Sequence, residues 1–81
     1  MRTAPTARQL QVLRLIADFT AGEGYAPSLA DLRDSLLVAS INTPRDHVRA
    51  LIAKGLAKST PGIARSLRVT AAGCRVLRGE V

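Results

Sequence analysis

Residues 40–55 read SINTPRDHVRALIAKG, a stretch that predicts one helix around which the rest of the chain is arranged. Thr43 is a suitable N-cap for this helix, Pro44 suits the first helical position, and Asp46 stands where the acid of a capping box would lie. Ser40 is a competing cap, which would start the helix about a turn earlier.

The two faces of this helix, over about residues 41–54, differ in polarity. One face is apolar and is expected to pack against the protein, through Val48, Leu51 and Ile52. The other face is polar and carries Asn42, Arg45, Asp46 and Arg49. A helix packed on one side, with polar groups at the front of the other, has the form of a DNA-reading helix. An ordinary helix with a solvated face shows the same pattern, so the rest of the chain must decide.

Two helices are predicted before this one. Thr6-Ala7-Arg8-Gln9 has the form of a capping box and opens a helix over about residues 7–21. Ser28, with an acid three residues later, caps a second helix over about residues 29–36. The connection 37–39 is short, apolar and without the glycine often found there. A helix, a tight turn and a second helix with a polar front form a helix-turn-helix.

The pattern changes after Gly55. Residues 56–59 and 66–70 read as two strands, joined by a tip over about residues 60–65 that contains a Pro-Gly turn signal. A two-stranded hairpin is marginal alone and must lie against the helices. Residues 70–78 predict a short C-terminal helix that is capped by Thr70.

These elements predict a fold that is mainly α with a small β-hairpin. It is a winged helix-turn-helix, with a three-helix core plus a wing at about residues 57–69. The 81 residues are enough for one small domain and no more, so a single domain over 1–81 with a loose tail over 1–5 is expected.

The charge balance favours a polyanionic partner. Twelve Lys and Arg stand against six Asp and Glu, which gives a formal net charge of +6. On charge alone DNA, RNA and an anionic membrane surface all remain open. One Phe, one Tyr and no Trp argue against stacking platforms for single-stranded nucleic acid.

Several other classes of protein are disfavoured. The single cysteine, Cys74, allows no internal disulfide and no metal-ligand cluster, and fits a reducing, intracellular setting. No apolar run approaches the ~20 residues of a membrane span, and the N-terminus lacks a signal-peptide apolar region. His47 is alone and is expected to be a partly buried helix residue. Cys74 is expected to be a small apolar contact rather than a nucleophile, because no second His or paired acid supports it. We therefore expect no cofactor, no metal, no enzymatic activity and no membrane association, and a cytoplasmic, nucleoid-associated protein.

The chain resembles the N-terminal DNA-binding domain of LexA-type repressors over about residues 6–69. The matching pieces are Thr6-Ala7-Arg8-Gln9, Gly24-Tyr25-Ala26-Pro27-Ser28, Ser40, Asn42, His47, Ala50-Leu51, Lys54-Gly55 and Arg65-Ser66-Leu67-Arg68. The resemblance implies a third helix that enters the major groove and a wing that approaches the backbone and minor groove. The family's self-cleaving C-terminal domain is not covered, so a stand-alone DNA-binding domain without protease activity is expected.

The resemblance carries the family's base-contacting positions onto Ser40, Asn42, Thr43, Arg45 and Asp46. The family commonly has two adjacent glutamates where this chain has Arg45 and Asp46, and Pro44 also departs from its usual small residue. Arginine donates to guanine, whereas carboxylates accept from cytosine, so a different base preference is expected at this point.

The side chains themselves suggest specific roles. Arg45 is the strongest candidate for direct readout, Asn42 can pair with adenine, and Arg49 could reach a base or a phosphate. Ser40 and Asp46 could contact DNA or only cap the helix. Candidates for the DNA backbone and wing contacts are Ser28, Lys54, Lys58, Arg65 and Arg68, of which Arg65 could enter the minor groove.

The leading hypothesis is sequence-specific binding of double-stranded DNA by a transcriptional regulator that acts by occupying an operator. One alternative is a protein-interaction winged helix, an adaptor or inhibitor of a transcription protein. Another is an excisionase-like DNA-architectural factor. A homodimer on DNA is also considered, since one winged helix reads one half-site. Residues 70–77 are the spare apolar element for a two-fold contact, or they equally well just cover the core.

Overall fold

The computed structural model describes residues 4–79, so residues 1–3 of the predicted tail lie outside the described part. The elements follow in the order α1 (Ala7–Glu23), α2 (Leu29–Leu36), α3 (Asn42–Ala53), β1 (Ala57–Lys58), β2 (Arg68–Val69) and α4 (Ala71–Leu77). The two strands pair antiparallel. Three helices, a hairpin and a short last helix confirm the predicted fold class.

Both predicted capping boxes are present. Thr6 Oγ1 accepts from the Gln9 amide at 3.1 Å, and Gln9 Oε1 accepts from the Thr6 amide at 3.1 Å. The same reciprocal pair joins Ser28 and Asp31 at the start of α2. Helix α1 continues two residues beyond its predicted end, because Gly24 takes the left-handed conformation (φ 82°) that closes the helix.

The predicted capping of α3 by Thr43 is wrong, although the predicted bounds of about 41–54 agree with the observed Asn42–Ala53. No side chain caps the helix from Ile41, and Thr43 lies inside the first turn. Ser40 supplies the cap-like bond, since its Oγ accepts from the Asn42 amide at 3.1 Å. The earlier start turns Pro44 into the protein, where its side chain is fully buried, so packing decides the position of the first turn.

α1 is the central element, in contact with α2, α3, α4 and β2. The buried apolar side chains form one cluster that draws on the three long helices, on β1 and on the residues that flank the two strands: Val12, Leu13, Ile16, Leu32, Leu36, Val48, Leu51, Leu56, Ala57 and Leu67. The prediction for Ile52 is wrong, because this side chain is 40% exposed. α3 packs through Pro44, Val48 and Leu51 instead, a row with the same helical spacing.

The hairpin is shorter than predicted. Only two residue pairs form the ladder, Ala57 with Val69 and Lys58 with Arg68. Beyond these two pairs, hydrogen bonds of the Ser66 side chain take the place of backbone pairing between the strands. The Ser66 Oγ accepts from the Thr60 amide at 2.9 Å. The same hydroxyl lies 3.1 Å and 2.9 Å from the carbonyl oxygens of Thr60 and Ile63. A side chain therefore closes the loop at the end of the two strands.

Helix α4 lies against its own domain. Thr70 caps it by accepting from the Gly73 amide at 3.1 Å, as predicted, and donates to the Gly55 carbonyl at 2.7 Å. Val76 and Leu77 are half-buried against the core. Of the two roles considered for the apolar side of this segment, a two-fold contact or covering of the core, the second is observed.

Gly73 lets α4 approach the hairpin closely. A Cβ atom at this position would lie 2.2 Å from the Leu56 carbonyl oxygen and 2.6 Å from Val69 Cγ1. Only glycine fits this contact, which explains a glycine inside a helix that intrinsically prefers other residues.

Candidate nucleic-acid interface

The polar front face of α3 is exposed. We define this face by Asn42, Arg45, Asp46 and Arg49, all four of which have exposed side chains. Directly behind it, Pro44, Val48 and Leu51 are buried and fix the orientation of the helix. The expected combination of a packed back and a free polar front is therefore observed.

The start of α3 brings three of the predicted base-reading residues together. Ser40 Oγ accepts from the Asn42 amide, and Arg45 Nη1 donates to Asn42 Oδ1 at 3.2 Å. Because Asn42 and Arg45 are three residues apart on a helix, they are surface neighbours. The contact orders the guanidinium and leaves its other donors available. Thr43 is half-buried beside this group.

The predicted backbone-contacting residues fall into two groups. Lys58 and Arg68 are exposed and lie directly opposite each other in the hairpin, so they place two positive charges side by side. Ser28 and Lys54 are engaged within the protein. Both hydrogen-bonding groups of Ser28 serve the capping box, while Lys54 Nζ donates to the Ala4 carbonyl and to Gln9 Oε1.

Arg65 is also engaged within the protein. Its Nη1 donates to the Ala26 carbonyl and to Asp31 Oδ2, each at 3.0 Å. Its guanidinium carbon lies 4.9 Å from the centre of the Tyr25 ring, within cation–π range. The predicted entry of Arg65 into a minor groove would require these contacts to break.

The hydrogen bond from the Ser28 amide and the adjacent Arg65 guanidinium hold the pKa of Asp31 below its ordinary value of 3.8. Asp31 is therefore ionised at neutral pH. The ion pair with Arg65 then leaves little net charge at the foot of the wing.

Two residues behave differently from the sequence-based interpretation. Ile52 is exposed three residues after Arg49 and seven after Arg45, so it extends the front face with an apolar side chain. The sequence signal that could have indicated this position is the spacing of three and seven residues, which puts Ile52 on the same helix face as Arg49 and Arg45. Cys74, expected to be a small apolar contact, is an exposed free thiol because α4 turns it away from the core. His47 is half-buried on α3, as predicted.

Other kinds of site are not found in the described part of the chain. Residues 4–79 contain no group of three or more His, Cys, Asp or Glu side chains that could hold a metal ion. Within the same residues, no helix has both the length and the apolar character that crossing a bilayer requires.

A three-helix core, an antiparallel wing and an exposed polar face on the third helix define a winged helix-turn-helix DNA-binding domain. A family model described as the LexA DNA binding domain matches residues 2–66. The chain belongs to this family, which confirms the resemblance inferred from the sequence.

The relatives are LexA repressors, matched through one part of their length. The protein from Cellvibrio japonicus is 40% identical over 65 residues, which are 80% of this chain and 32% of that protein. The protein from Anaeromyxobacter dehalogenans is 38% identical over 74 residues, 91% of this chain and 32% of that protein. The chain thus spans about a third of the length of these relatives.

The fold also matches a solved structure. The crystal structure of T. acidophilum IdeR superimposes with a TM-score of 0.70 at 28% identity, over 95% of this chain and 33% of that chain. The arrangement of helices and wing is therefore shared beyond the LexA repressors.

Proposed function

We propose that the chain binds double-stranded DNA sequence-specifically and represses transcription by occupying an operator. The observation that carries this proposal is the exposed polar front of α3, backed by buried Pro44, Val48 and Leu51. Family membership supports it, since the matched model is that of a DNA-binding domain. A protein with this function acts in the cytoplasm, on the nucleoid.

In this proposal α3 enters the major groove with its N-terminal end foremost. Arg45 and Asn42 read base edges, Arg45 with guanine and Asn42 with adenine, while Ser40, Thr43 and Asp46 line the same edge of the groove. Arg49 lies a turn further along and contacts a base or a phosphate. The ordered Arg45–Asn42 pair supports this arrangement, since the two side chains form one donor and acceptor surface.

Lys58 and Arg68 are proposed to contact phosphates from the wing. Because the two residues are directly opposite each other in the ladder, both charges lie on one face of the hairpin, where they can follow a single strand of the duplex. Ser28 and Lys54 are proposed as weaker contributors. The start of α2 at Ser28 favours an anion, and Lys54 is a basic residue beside the start of α1.

One copy of this domain reads one half-site, so an operator with two inverted half-sites would hold two copies. Because the apolar side of α4 packs on its own core, the two copies are proposed to meet on DNA without that side of α4.

Selection of binding sites from a random duplex library, followed by anisotropy titration of the selected site, tests the function. We expect an enriched motif that contains guanine at the Arg45 position, and binding at least about a thousandfold tighter than to random duplex. Equal affinity for selected and random DNA would contradict sequence-specific recognition, and no binding in dilute buffer would contradict DNA binding itself. Clustered sites and bent DNA would instead support the architectural alternative.

A further inference from the structure

The tip of the wing lacks the packing that normally fixes a hairpin. Its ladder consists of two residue pairs, and an isolated two-stranded hairpin is marginal in water. Residues 60–65 are all exposed, and Ile63, the large apolar side chain of the tip, is 61% exposed. A groove of about 540 Å³ separates the tip from Leu29 and Val48, so core packing does not set the position of the tip.

Arg65 connects this tip to the start of α2. We call Arg65, Asp31 and Tyr25 the wing clamp. Arg65 donates to Asp31 and to the Ala26 carbonyl, and its guanidinium covers the ring of Tyr25. Tyr25 in turn packs its ring against Phe19 of α1, with centroids 5.7 Å apart and planes at 74°. The clamp therefore extends from the wing to the central helix.

The backbone at Arg65 is adapted to these contacts. Its φ is 55°, a left-handed conformation that costs energy for a residue other than glycine. The residue that follows Arg65, Ser66, is fixed by three contacts of its hydroxyl within the loop. This conformation directs the side chain back towards α2, and the contacts that the guanidinium makes there offset its cost.

We propose that Arg65 is a positioning residue, which holds the wing beside α2 so that Lys58 and Arg68 reach the DNA backbone together with α3. Arg65 itself does not contact DNA in this proposal. Its charge is opposed by Asp31, and moving it to a phosphate would leave an unpaired carboxylate at the foot of the wing. The inference deepens the proposed DNA-binding function and rests on it.

The direction in which the variant Asp31→Asn changes the affinity for DNA distinguishes a positioning role of Arg65 from a direct contact between Arg65 and DNA. It raises the net charge by one, so a purely electrostatic effect would strengthen DNA binding. Asparagine still accepts from the Ser28 amide, which preserves the cap of α2. If the clamp positions the wing, Asp31→Asn weakens binding to the selected site about three- to tenfold, the worth of one exposed charge-assisted contact.

Asp34→Asn is the matched control. Asp34 lies on the same helix, forms an ion pair with the neighbouring Arg33, and its replacement raises the net charge equally. We expect Asp34→Asn to bind no more weakly than the original chain. The double variant Asp31→Asn/Arg65→Gln should bind no more weakly than the worse single variant, because both changes open the same clamp. Additive losses would attribute the Asp31 effect to the helix start and overturn the proposal.

The salt dependence of DNA binding by the variant Arg65→Gln provides a second test. If Arg65 touches no phosphate and only orders the wing before binding, the complex keeps the phosphate contacts of Lys58 and Arg68, so the slope of log K against log salt is unchanged although binding is weaker. A phosphate contact would instead reduce the slope by about 0.9. A smaller slope for Arg65→Gln, or tighter binding for Asp31→Asn than for Asp34→Asn, would overturn the proposal and assign Arg65 to the DNA.

Amide hydrogen exchange in the free protein separates this inference from the DNA-binding proposal. Asp31→Asn and Arg65→Gln should speed the exchange of residues around the Ser66-closed loop, while Asp34→Asn should not. Unchanged exchange in both clamp variants would refute the clamp even if DNA binding is verified. If no variant and no original chain binds duplex DNA, the proposed function fails, and so does the role of the clamp in it.

Discussion

At the scale of single residues, Arg45 is expected to carry the most information about sequence. Arg45→Ala should cost about 1–3 kcal/mol of binding on the selected site and relax the preference at one base position. Arg75→Ala is the control, since Arg75 is exposed on α4, outside the proposed interface. The measurement is a repeat of site selection and titration with both variants. An unchanged motif for Arg45→Ala would remove Arg45 from the base-reading set.

Two adjacent residues of α3 test the corrected packing. Leu51 is fully buried, so Leu51→Ala should cost ~2–5 kcal/mol of unfolding free energy. Ile52 is partly in solvent, so Ile52→Ala should cost less than about 1 kcal/mol. Urea unfolding of the two variants measures this difference. Equal losses would mean that Ile52 belongs to the packed face after all.

Asp31 gives the clamp a defined pH dependence. Its pKa in the folded protein is lowered below 3.8, so the ionised form is the one that folding favours. The stabilisation is therefore fully present above the unfolded pKa and is lost as the pH falls through the lower folded pKa. The stability difference between the original chain and Asp31→Asn should be the same at about pH 7 and about pH 5, and should shrink as the pH falls below the ordinary pKa of 3.8. A difference that grows on acidification would contradict this assignment.

At the scale of elements, the contact between α4 and the hairpin depends on Gly73. Gly73→Ala would force a Cβ against the Leu56 carbonyl, so we expect it to lower stability by about 1–3 kcal/mol, the usual cost of overpacking. Gly22→Ala is a matched control in α1, where nothing lies within 4 Å of the added atom. That change should raise stability by about 0.4–1 kcal/mol. Thermal melts of both variants check the opposite signs.

Local sequence patterns correctly predicted the features that depend only on residues close together in the chain. The caps at Thr6, Ser28 and Thr70 are each completed within three residues, and all three are observed. The face of α3 was not determined in this way. Val48 and Leu51 share a helical row with either Pro44 or Ile52, and only packing against α1 and α2 selects Pro44.

The wing clamp could not be predicted from local sequence patterns, because it also depends on tertiary contacts. Arg65 and Asp31 are 34 residues apart, and no periodicity connects them. The sequence presents Arg65 as one more cation of a basic wing, which made DNA its expected partner. The same limit applies to Lys54, whose partner Gln9 lies 45 residues away. Charge composition indicates the kind of partner a surface attracts, whereas tertiary contacts decide which cations are available.

At the scale of the whole molecule, the number of cations available to contact DNA predicts how strongly DNA binding depends on salt. Arg65 is held by the wing clamp, whereas Arg45, Arg49, Lys58 and Arg68 are exposed on the proposed DNA-facing side. If Arg49, Lys58 and Arg68 meet phosphates while Arg45 reads a base edge, log K should fall with log salt with a slope of roughly −2 to −3 per copy.

Anisotropy titrations at a series of salt concentrations measure this slope. Lys58→Gln and Arg68→Gln should each reduce it by about 0.9, because each removes one phosphate contact and the counterions that it displaces. Arg75→Gln removes the same charge from α4 and should leave the slope unchanged. If Arg75→Gln lowers the slope as much as the wing variants do, the net charge of +6 is acting as a whole and the proposed DNA-facing side is misplaced.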